Sequence, residues 1–210
     1  MAEIALFHSV LGVRPGIHAA AQRLRGAGHE VLVVDQYDGQ VFDDYEQAGR
    51  HVEGVGYPEL MRRALEAVEP LRDGFVAAGF SQGAGMAEHV ATQRTCGGAL
   101  LLSGALPLAM FGGVAWRADT PAQIHYTRED PFRRQEWVEA LVADISASGS
   151  RVETFDYPGT GHLFTDHSLP SEHDEQAAAL LWSRAEAFCR SAARDDSDSW
   201  SRTRARGGDV

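Results

Sequence analysis

The sequence has little cysteine, no long hydrophobic run and no excess of positive charge, and each shortage excludes a class of protein. Only two of the 210 residues are cysteines, Cys96 and Cys189, and they lie far apart along the chain. Two distant thiols predict neither a disulfide scaffold nor a zinc site, and they are typical of the reducing cytoplasm. We therefore predict a cytoplasmic protein without a bound metal.

Membrane and nucleic-acid partners are excluded on similar grounds. No apolar stretch approaches the ~20 residues of a membrane-spanning helix, and Met1 precedes an apolar run rather than the basic segment of a signal peptide. The formal net charge is −11, whereas a nucleic-acid-binding surface carries a basic stripe. We expect no membrane or nucleic-acid partner, and the sequence leaves monomer and homodimer open.

The length and composition predict one globular domain followed by a short tail. Hydrophobic residues make up 44% and charged residues 23% of the chain, both ordinary for a globular protein with one substantial core. Asp, Ser, Arg and Gly dominate near the C-terminus, where Trp200 is the single large apolar residue. We therefore predict a domain over residues 1–193 and a disordered tail over 194–210.

Strand and helix patterns alternate six times, which predicts a doubly wound, mostly parallel α/β sheet flanked by helices. The predicted strands cover residues 4–7, 30–35, 75–78, 98–103, 122–127 and 151–155, and the last alternates enough for a sheet edge. Helices are predicted over 15–26, 58–71, 82–94, from 131 to before 149, and from a Ser171-x-x-Asp174 start to about 190. Two long loops, 36–56 and 104–120, are candidates to line or cover a site.

The segment around Ser81 carries the most specific chemical signal. The run Val-Ala-Ala-Gly-Phe-Ser-Gln-Gly-Ala-Gly over residues 76–85 predicts a strand, a tight turn and a helix, with Gly-x-Ser-x-Gly at the turn. A serine hydroxyl is a poor nucleophile, so it must stand clear of the sheet where a base and a substrate can reach it. Gly79 and Gly83 permit that strained turn, although a glycine-bounded turn that merely contains serine gives the same pattern.

Two further loops at the same edge of the sheet supply a base and an acid. The loops at 80–83, 128–131 and 157–162 all follow parallel strands, whose carboxyl ends meet at one edge. His162, in the glycine-rich third loop, is predicted as the general base, and Asp130 is predicted to orient it. A loop histidine is alternatively a solvated surface residue. Asp130 before Pro131 is alternatively a helix N-cap.

The remaining site predictions concern the oxyanion and the pocket. The backbone N–H of Gln82 lies at a helix N-terminus, and we predict Val10, with Leu11 next, as the second donor. Side chains predicted as possible pocket lining are His8, Ser9, Leu11 and Trp116. No metal ion or organic cofactor is implied.

With these residues assigned, the chain resembles the dienelactone hydrolase family of α/β-hydrolases over most of residues 3–190. The resemblance rests on the motifs Phe-His-Ser-Val-Leu-Gly-Val-Arg-Pro (7–15), Gly-Phe-Ser-Gln-Gly (79–83), Glu-Asp-Pro-Phe (129–132) and Tyr-Pro-Gly-Thr-Gly-His-Leu-Phe (157–164). It implies an α/β-hydrolase fold without a large cap domain, a small-molecule substrate, and Ser81, Asp130 and His162 as the catalytic triad.

Three departures from the family pattern affect the expected substrate. Dienelactone hydrolases proper use a cysteine nucleophile, and this chain has Ser81; they carry a glutamate after the first strand, and this chain has Ser9. Their substrate-binding arginine, four residues past the histidine, is replaced by Asp166, which we expect to repel a carboxylate substrate. We therefore predict a serine esterase that cleaves a neutral small ester or thioester through an acyl-enzyme.

Two rival functions use the same residues. A non-catalytic protein of this fold would bind a ligand or partner, although it has no need of all three triad groups. An acyltransferase would use the same serine with an alcohol acceptor in place of water, because a fold does not fix the reaction.

Overall fold

The computed structural model describes residues 1–205, with side chains for residues 1–192. Its strands are β1 (Glu3–Phe7), β2 (Glu30–Val34), β3 (Phe75–Phe80), β4 (Cys96–Leu102), β5 (Ala122–Thr127) and β6 (Val152–Tyr157). Its helices are α1 (Pro15–Gly26), α2 (Tyr45–Val55), α3 (Tyr57–Val68), α4 (Gln82–Gln93), α5 (Gln135–Ala147) and α6 (Glu175–Ala205), with a short 3₁₀ helix at Leu108–Phe111. The six strands are parallel in the order β2-β1-β3-β4-β5-β6. This confirms the predicted α/β-hydrolase fold, with β6 at an edge and without a large cap.

Helices cover both faces of the sheet because the central strands are apolar on both sides. Ala5 and Phe7 of β1 pack with residues of α3, α4 and α5, whereas Ile4 and Leu6 pack with residues of α1 and α6. Every residue of β3 and β5 is buried. This arrangement is typical of parallel sheets, whose strands read as continuous hydrophobic runs.

The prediction of a long loop over residues 36–56 is wrong, because the second half of this segment forms helix α2. Helix α2 begins at Tyr45 after Asp44, whose carboxylate accepts a hydrogen bond from the Gln47 N–H at 2.8 Å. Gly56, with φ +83°, separates α2 from α3 and turns the chain between them. Only Ala48 and Val52 of α2 are buried, so the helix carries too weak an apolar pattern to be recognised from the sequence.

Two helices begin later than predicted. Helix α5 starts at Gln135 rather than beside Pro131, and residues 130–133 form a turn in which the Arg133 N–H donates to the Asp130 carbonyl at 3.1 Å. Helix α6 is capped by Asp174, whose carboxylate accepts from the Ala177 N–H at 2.9 Å, and not by Ser171. The Ser171-x-x-Asp174 motif therefore marks the start of α6, but its last residue is the cap and its first is not.

Both cysteines are free, buried thiols, and burial raises the pKa of each to about 12. Disorder was predicted for residues 194–210. The side chains of these residues lie outside the described part of the chain, as do residues 206–210 altogether, so the disorder stays a prediction. Within residues 1–205, no helix combines the length and apolarity needed to cross a membrane.

Candidate active site

Ser81 is the single residue between strand β3 and helix α4, and its backbone makes the whole turn. Its φ is +53° and its ψ is −115°, a conformation that a residue with a side chain adopts only when its surroundings enforce it. The Ser81 N–H donates to the Leu102 carbonyl at 2.7 Å, which ties the turn to the end of β4. The predicted strand–turn–helix setting is therefore present.

Three glycines make room for this turn. A Cβ on Gly79 would overlap the Gly83 carbonyl, and a Cβ on Gly83 would overlap the backbone carbonyls of Phe7 and His8. A Cβ on Gly104, in the loop after β4, would overlap the Ser81 carbonyl. The first two glycines were identified from the sequence, and the third was missed because it contacts Ser81 only in the folded chain.

Ser81, His162 and Asp130 form a continuous hydrogen-bonded chain. His162 Nε2 lies 2.7 Å from Ser81 Oγ, and His162 Nδ1 lies 2.7 Å from Asp130 Oδ2. The side chains of His162 and Asp130 are 4% and 0% exposed, so His162 is not a solvated surface residue. The second Asp130 oxygen accepts from the Phe132 N–H at 2.8 Å, so Asp130 both contacts the histidine and stabilises its own turn.

Side chains at the ends of β4 and β5 fix the backbone of the histidine loop. Ser103 Oγ donates to the His162 carbonyl at 2.6 Å, and Thr127 Oγ1 donates to the Gly161 carbonyl at 2.9 Å. Ser103 also has a positive φ, +53°, and it lines the same cavity as Ser81. The sequence analysis missed both residues, although each stands where a parallel strand meets the active edge.

A third anchor comes from beyond the histidine. Glu172 accepts from the Leu163 N–H at 2.6 Å and from the Tyr45 hydroxyl at 2.8 Å, which joins helix α2 to this loop. Burial, and next the nearby Glu172 carboxylate, raise the pKa of Tyr45, so its hydroxyl remains a donor. The loop that carries His162 is therefore held on three sides.

The two predicted oxyanion donors stand close to Ser81. Gln82 is the first residue of α4, where N–H groups lack acceptors within the helix, and its side-chain oxygen accepts from the Tyr37 hydroxyl at 3.0 Å. Val10 lines the same cavity as Ser81. The alternative donor, Leu11, has its N–H directed to Ser9 Oγ at 3.2 Å. The geometry therefore favours Val10 over Leu11.

The four side chains predicted as possible pocket lining are buried elsewhere. His8 accepts from the Gln36 N–H at 3.1 Å and donates to the Ser9 carbonyl at 2.7 Å; burial lowers its pKa, so the ring is neutral. Leu11 and Trp116 are core residues, 1% and 4% exposed. Ser9 faces a separate small concavity. His8, Ser9 and Leu11 follow β1 closely and Trp116 lies between β4 and β5, but these positions did not determine the direction of their side chains.

A cavity of about 440 Å³ opens beside Ser81. Four polar side chains line it, those of Ser81, Gln82, Ser103 and His162. The rest of its lining is apolar or aromatic, and the segment after β4, α3 and the 3₁₀ helix supply more than half of it: Val10, Tyr57, Met61, Met86, Gly104, Ala105, Leu106, Met110, Phe111, Tyr126, Phe132 and Trp137. This combination is typical of a small-molecule site.

Asp166, expected to repel a carboxylate substrate, does not line this cavity. It is 6% exposed and packs against Gly16, where a Cβ would overlap its carboxylate. It accepts from the Ser168 N–H at 2.8 Å and lies 3.8 Å from Arg14 Nε. The expected direct repulsion is therefore wrong, because the Asp166 charge is directed towards Arg14 rather than towards Ser81.

Within the described residues, no cluster of three or more His, Cys, Asp or Glu side chains is arranged to hold a metal ion. The groups gathered at Ser81 are instead those of nucleophilic acyl transfer: a hydroxyl, a buried imidazole in contact with it, a carboxylate behind the imidazole and free backbone donors.

Comparison with known proteins gives one family and several related folds. The model of the Dienelactone hydrolase family matches residues 2–192, and no curated protein matches. A dienelactone hydrolase-like promiscuous phosphotriesterase, P91 from metagenomic libraries, is 22% identical, covering 92% of this chain and 86% of that one, with a TM-score of 0.76. A dienelactone hydrolase from Anabaena variabilis is 18% identical (89% and 85% covered, TM-score 0.63). A phospholipase/carboxylesterase from Dyadobacter fermentans is 19% identical (87% and 88% covered, TM-score 0.62). At these identities the structures share the fold.

Proposed function

Because the chain belongs to the dienelactone hydrolase family, it is a hydrolase acting on ester bonds, and we propose that it cleaves a small ester or thioester through an acyl-enzyme on Ser81. The observation that carries this proposal is the continuous hydrogen-bonded chain from Ser81 through His162 to Asp130, with both distances at 2.7 Å. The hydroxyl, imidazole and carboxylate occupy the three roles that acyl transfer requires.

In the first half of the reaction, His162 Nε2 accepts the Ser81 proton as Oγ attacks the acyl carbon. Asp130 holds the Nδ1–H, which keeps Nε2 free as the acceptor and stabilises the imidazolium that forms. The tetrahedral oxygen takes up negative charge, and the N–H groups of Gln82 and Val10 are available to stabilise it. His162 then returns the proton to the leaving alcohol or thiol, and the acyl group remains on Ser81.

In the second half, water takes the place of the alcohol. His162 Nε2 removes a proton from the water as its oxygen attacks the acyl carbon, and the same two N–H groups stabilise the second tetrahedral oxygen. The proton returns to Ser81 Oγ as the acid leaves. The cycle consumes one water and needs no other co-reactant.

The cavity supports a neutral substrate. No Asp, Glu, Lys or Arg is among the residues that line it, so a substrate carboxylate would enter without a partner. This lining, rather than Asp166, is the physical basis for preferring an uncharged ester or thioester.

Labelling with a fluorophosphonate probe tests the nucleophile directly. We expect a single phosphonyl adduct on the peptide that contains Ser81, and its loss in Ser81→Ala and His162→Ala. Ser103 provides an internal control, because it is a second serine in the same cavity without an imidazole acceptor: its hydroxyl donates to a backbone carbonyl. Labelling of Ser103, or no labelling of the folded protein, would contradict the proposal.

A stopped assay then tests the intermediate. With a p-nitrophenyl ester, acylation that outpaces deacylation gives a burst of p-nitrophenol, and acid quenching should trap the acyl group on Ser81. Adding excess alcohol distinguishes transfer from hydrolysis, because an acyltransferase would form the new ester in place of the acid.

A further inference from the structure

All three internal methionines of the chain line the cavity beside Ser81. Met61 comes from α3, Met86 from α4 and Met110 from the 3₁₀ helix, so three separate elements supply the same side chain to one cavity, and these three side chains are its methionine wall. Methionine is unbranched and polarisable, and it repacks around ligands of different shape more readily than leucine or isoleucine. The fourth methionine, Met1, is 78% exposed and does not line the cavity.

Another lining residue, Leu106, is held against helix α4. The Leu106 N–H lies 3.1 and 3.2 Å from the two oxygens of the Glu88 carboxyl group, and Gly85 leaves space that the Leu106 side chain fills. Glu88 is fully buried, and burial raises its pKa well above the usual range. The cavity lining therefore combines Leu106, which is anchored to α4, with three methionines whose side chains can repack.

The part of the cavity that the methionines line suits an acyl group. His162 must deliver a proton to the leaving oxygen, so the leaving group lies beside His162. There Phe132, whose ring centroid is 4.6 Å from that of His162, is 52% exposed and opens towards solvent. Met86 is 1% exposed and lies on the inner side.

We propose that the cavity binds the acyl group of the substrate along its methionine wall, from the buried Met86 to the exposed Met110, that this wall accepts uncharged apolar acyl groups of differing shape, and that the cavity rejects acyl chains carrying a carboxylate. This inference rests on the proposed function, because Ser81 defines which end of the ester is the acyl end. No lysine occurs anywhere in the chain and no arginine lines the cavity, so an acyl carboxylate would lack a counter-charge.

The methionines themselves report the test. In Ser81→Ala protein labelled with ¹³C-methyl methionine, the four methyl signals are followed by NMR as ethyl hexanoate, ethyl benzoate and ionised monoethyl adipate are added. We expect both neutral esters to shift the three internal signals and leave Met1 unmoved. We expect monoethyl adipate to bind at least about tenfold more weakly, since its charge is buried unpaired.

A counter-charge variant tests the electrostatic cause. Met110 is 57% exposed at the cavity mouth, so Met110→Arg places a cation there without opening the core. We expect this variant to gain affinity for monoethyl adipate relative to ethyl hexanoate by about tenfold or more. Leu180→Arg, the same kind of change at a 51%-exposed position of α6, should leave the ratio unchanged.

Equal or tighter binding of monoethyl adipate by the unmodified cavity would overturn the inference. Internal methionine signals that stay fixed with every ester would overturn it as well. Either result can coexist with phosphonyl labelling of Ser81, in which case the proposed function stands and the acyl assignment fails. If Ser81 is not labelled but the methionine methyl signals still shift, the cavity binds these esters and the proposed reaction on Ser81 is wrong.

Discussion

Replacement of Asp130 by asparagine isolates the role of its charge from its role in the turn. The aspartate makes two hydrogen bonds, one from the Phe132 N–H at 2.8 Å and one to His162 Nδ1 at 2.7 Å. Asparagine can keep the first with its oxygen. Its amide nitrogen then faces Nδ1 and donates to it, which forces the proton of the neutral ring onto Nε2.

The consequence follows from the geometry at Ser81. A proton on Nε2 points at Ser81 Oγ, 2.7 Å away, so the ring cannot accept the serine proton. We expect kcat for a p-nitrophenyl ester to fall about 10³–10⁴-fold, the effect of holding the wrong tautomer in such a triad. In the barrier this corresponds to about 4–5.5 kcal/mol. KM should change little, because Asp130 does not line the cavity.

Asp166→Asn is the matched control. Asp166 and Asp130 are both buried, each 6% exposed when the whole residue is counted, but the Asp166 carboxylate contacts Ser168 and Arg14 rather than the histidine. We expect kcat for this variant within about threefold of the wild type, with thermal unfolding used to check that both variants fold. A folded Asp130→Asn protein that retains more than about a tenth of kcat would refute the tautomer argument.

Three further predictions concern stability. Burial lowers the pKa of His125 to about 3, so the unfolded chain takes up a proton below about pH 6.5 while the native ring does not. Stability is therefore lost as pH falls. When the pH is lowered from 7 to 5, urea titrations should show that His125→Asn loses about 2 kcal/mol less of its free energy of unfolding than the wild type does. Glu88 has a raised pKa, so its neutral form favours folding below about pH 4.5 and this advantage fades as pH rises. Glu88→Gln should thus gain stability relative to the wild type at pH 8 but not at pH 4, and a constant difference would contradict this sign. Gly83→Ala should lower the free energy of unfolding by about 1–3 kcal/mol because its Cβ would overlap the carbonyls of Phe7 and His8. Gly49→Ala, on an open face of α2, should instead raise the free energy of unfolding by up to about 1 kcal/mol in the same urea titrations.

The sequence was sufficient for the groups whose position follows from topology. Ser81, Asp130 and His162 each follow a parallel strand, and parallel strands that share one sheet bring their carboxyl ends together whatever the intervening helices do. That constraint does not extend to side-chain direction. His8 also follows a strand, yet it turns inwards to the Gln36 N–H, because that buried donor needs an acceptor.

The residues that line the cavity could not be predicted from the sequence, for a different reason. Met61, Met86 and Met110 are isolated apolar residues in three elements, and each is equally compatible with an ordinary core position. Their convergence depends on how α3 and the 3₁₀ helix pack around α4, which no local pattern encodes. Helix α2 was missed similarly, since its one strong signal was the Asp44 cap.

The chemistry and the selectivity of this site therefore rest on different parts of the fold. Ser81, Ser103, Thr127 and the His162 loop are fixed by strand ends and by hydrogen bonds between 2.6 and 2.9 Å, so a displacement of one group must strain its neighbours. The methionine wall combines Met61 of α3 and Met110 of the 3₁₀ helix with Met86 of α4, the helix whose first residue is Gln82. Substitutions in that wall are expected to change which acyl group is accepted while the distance from Ser81 to His162 stays the same. Substitutions at the strand ends should instead lower turnover for every ester alike.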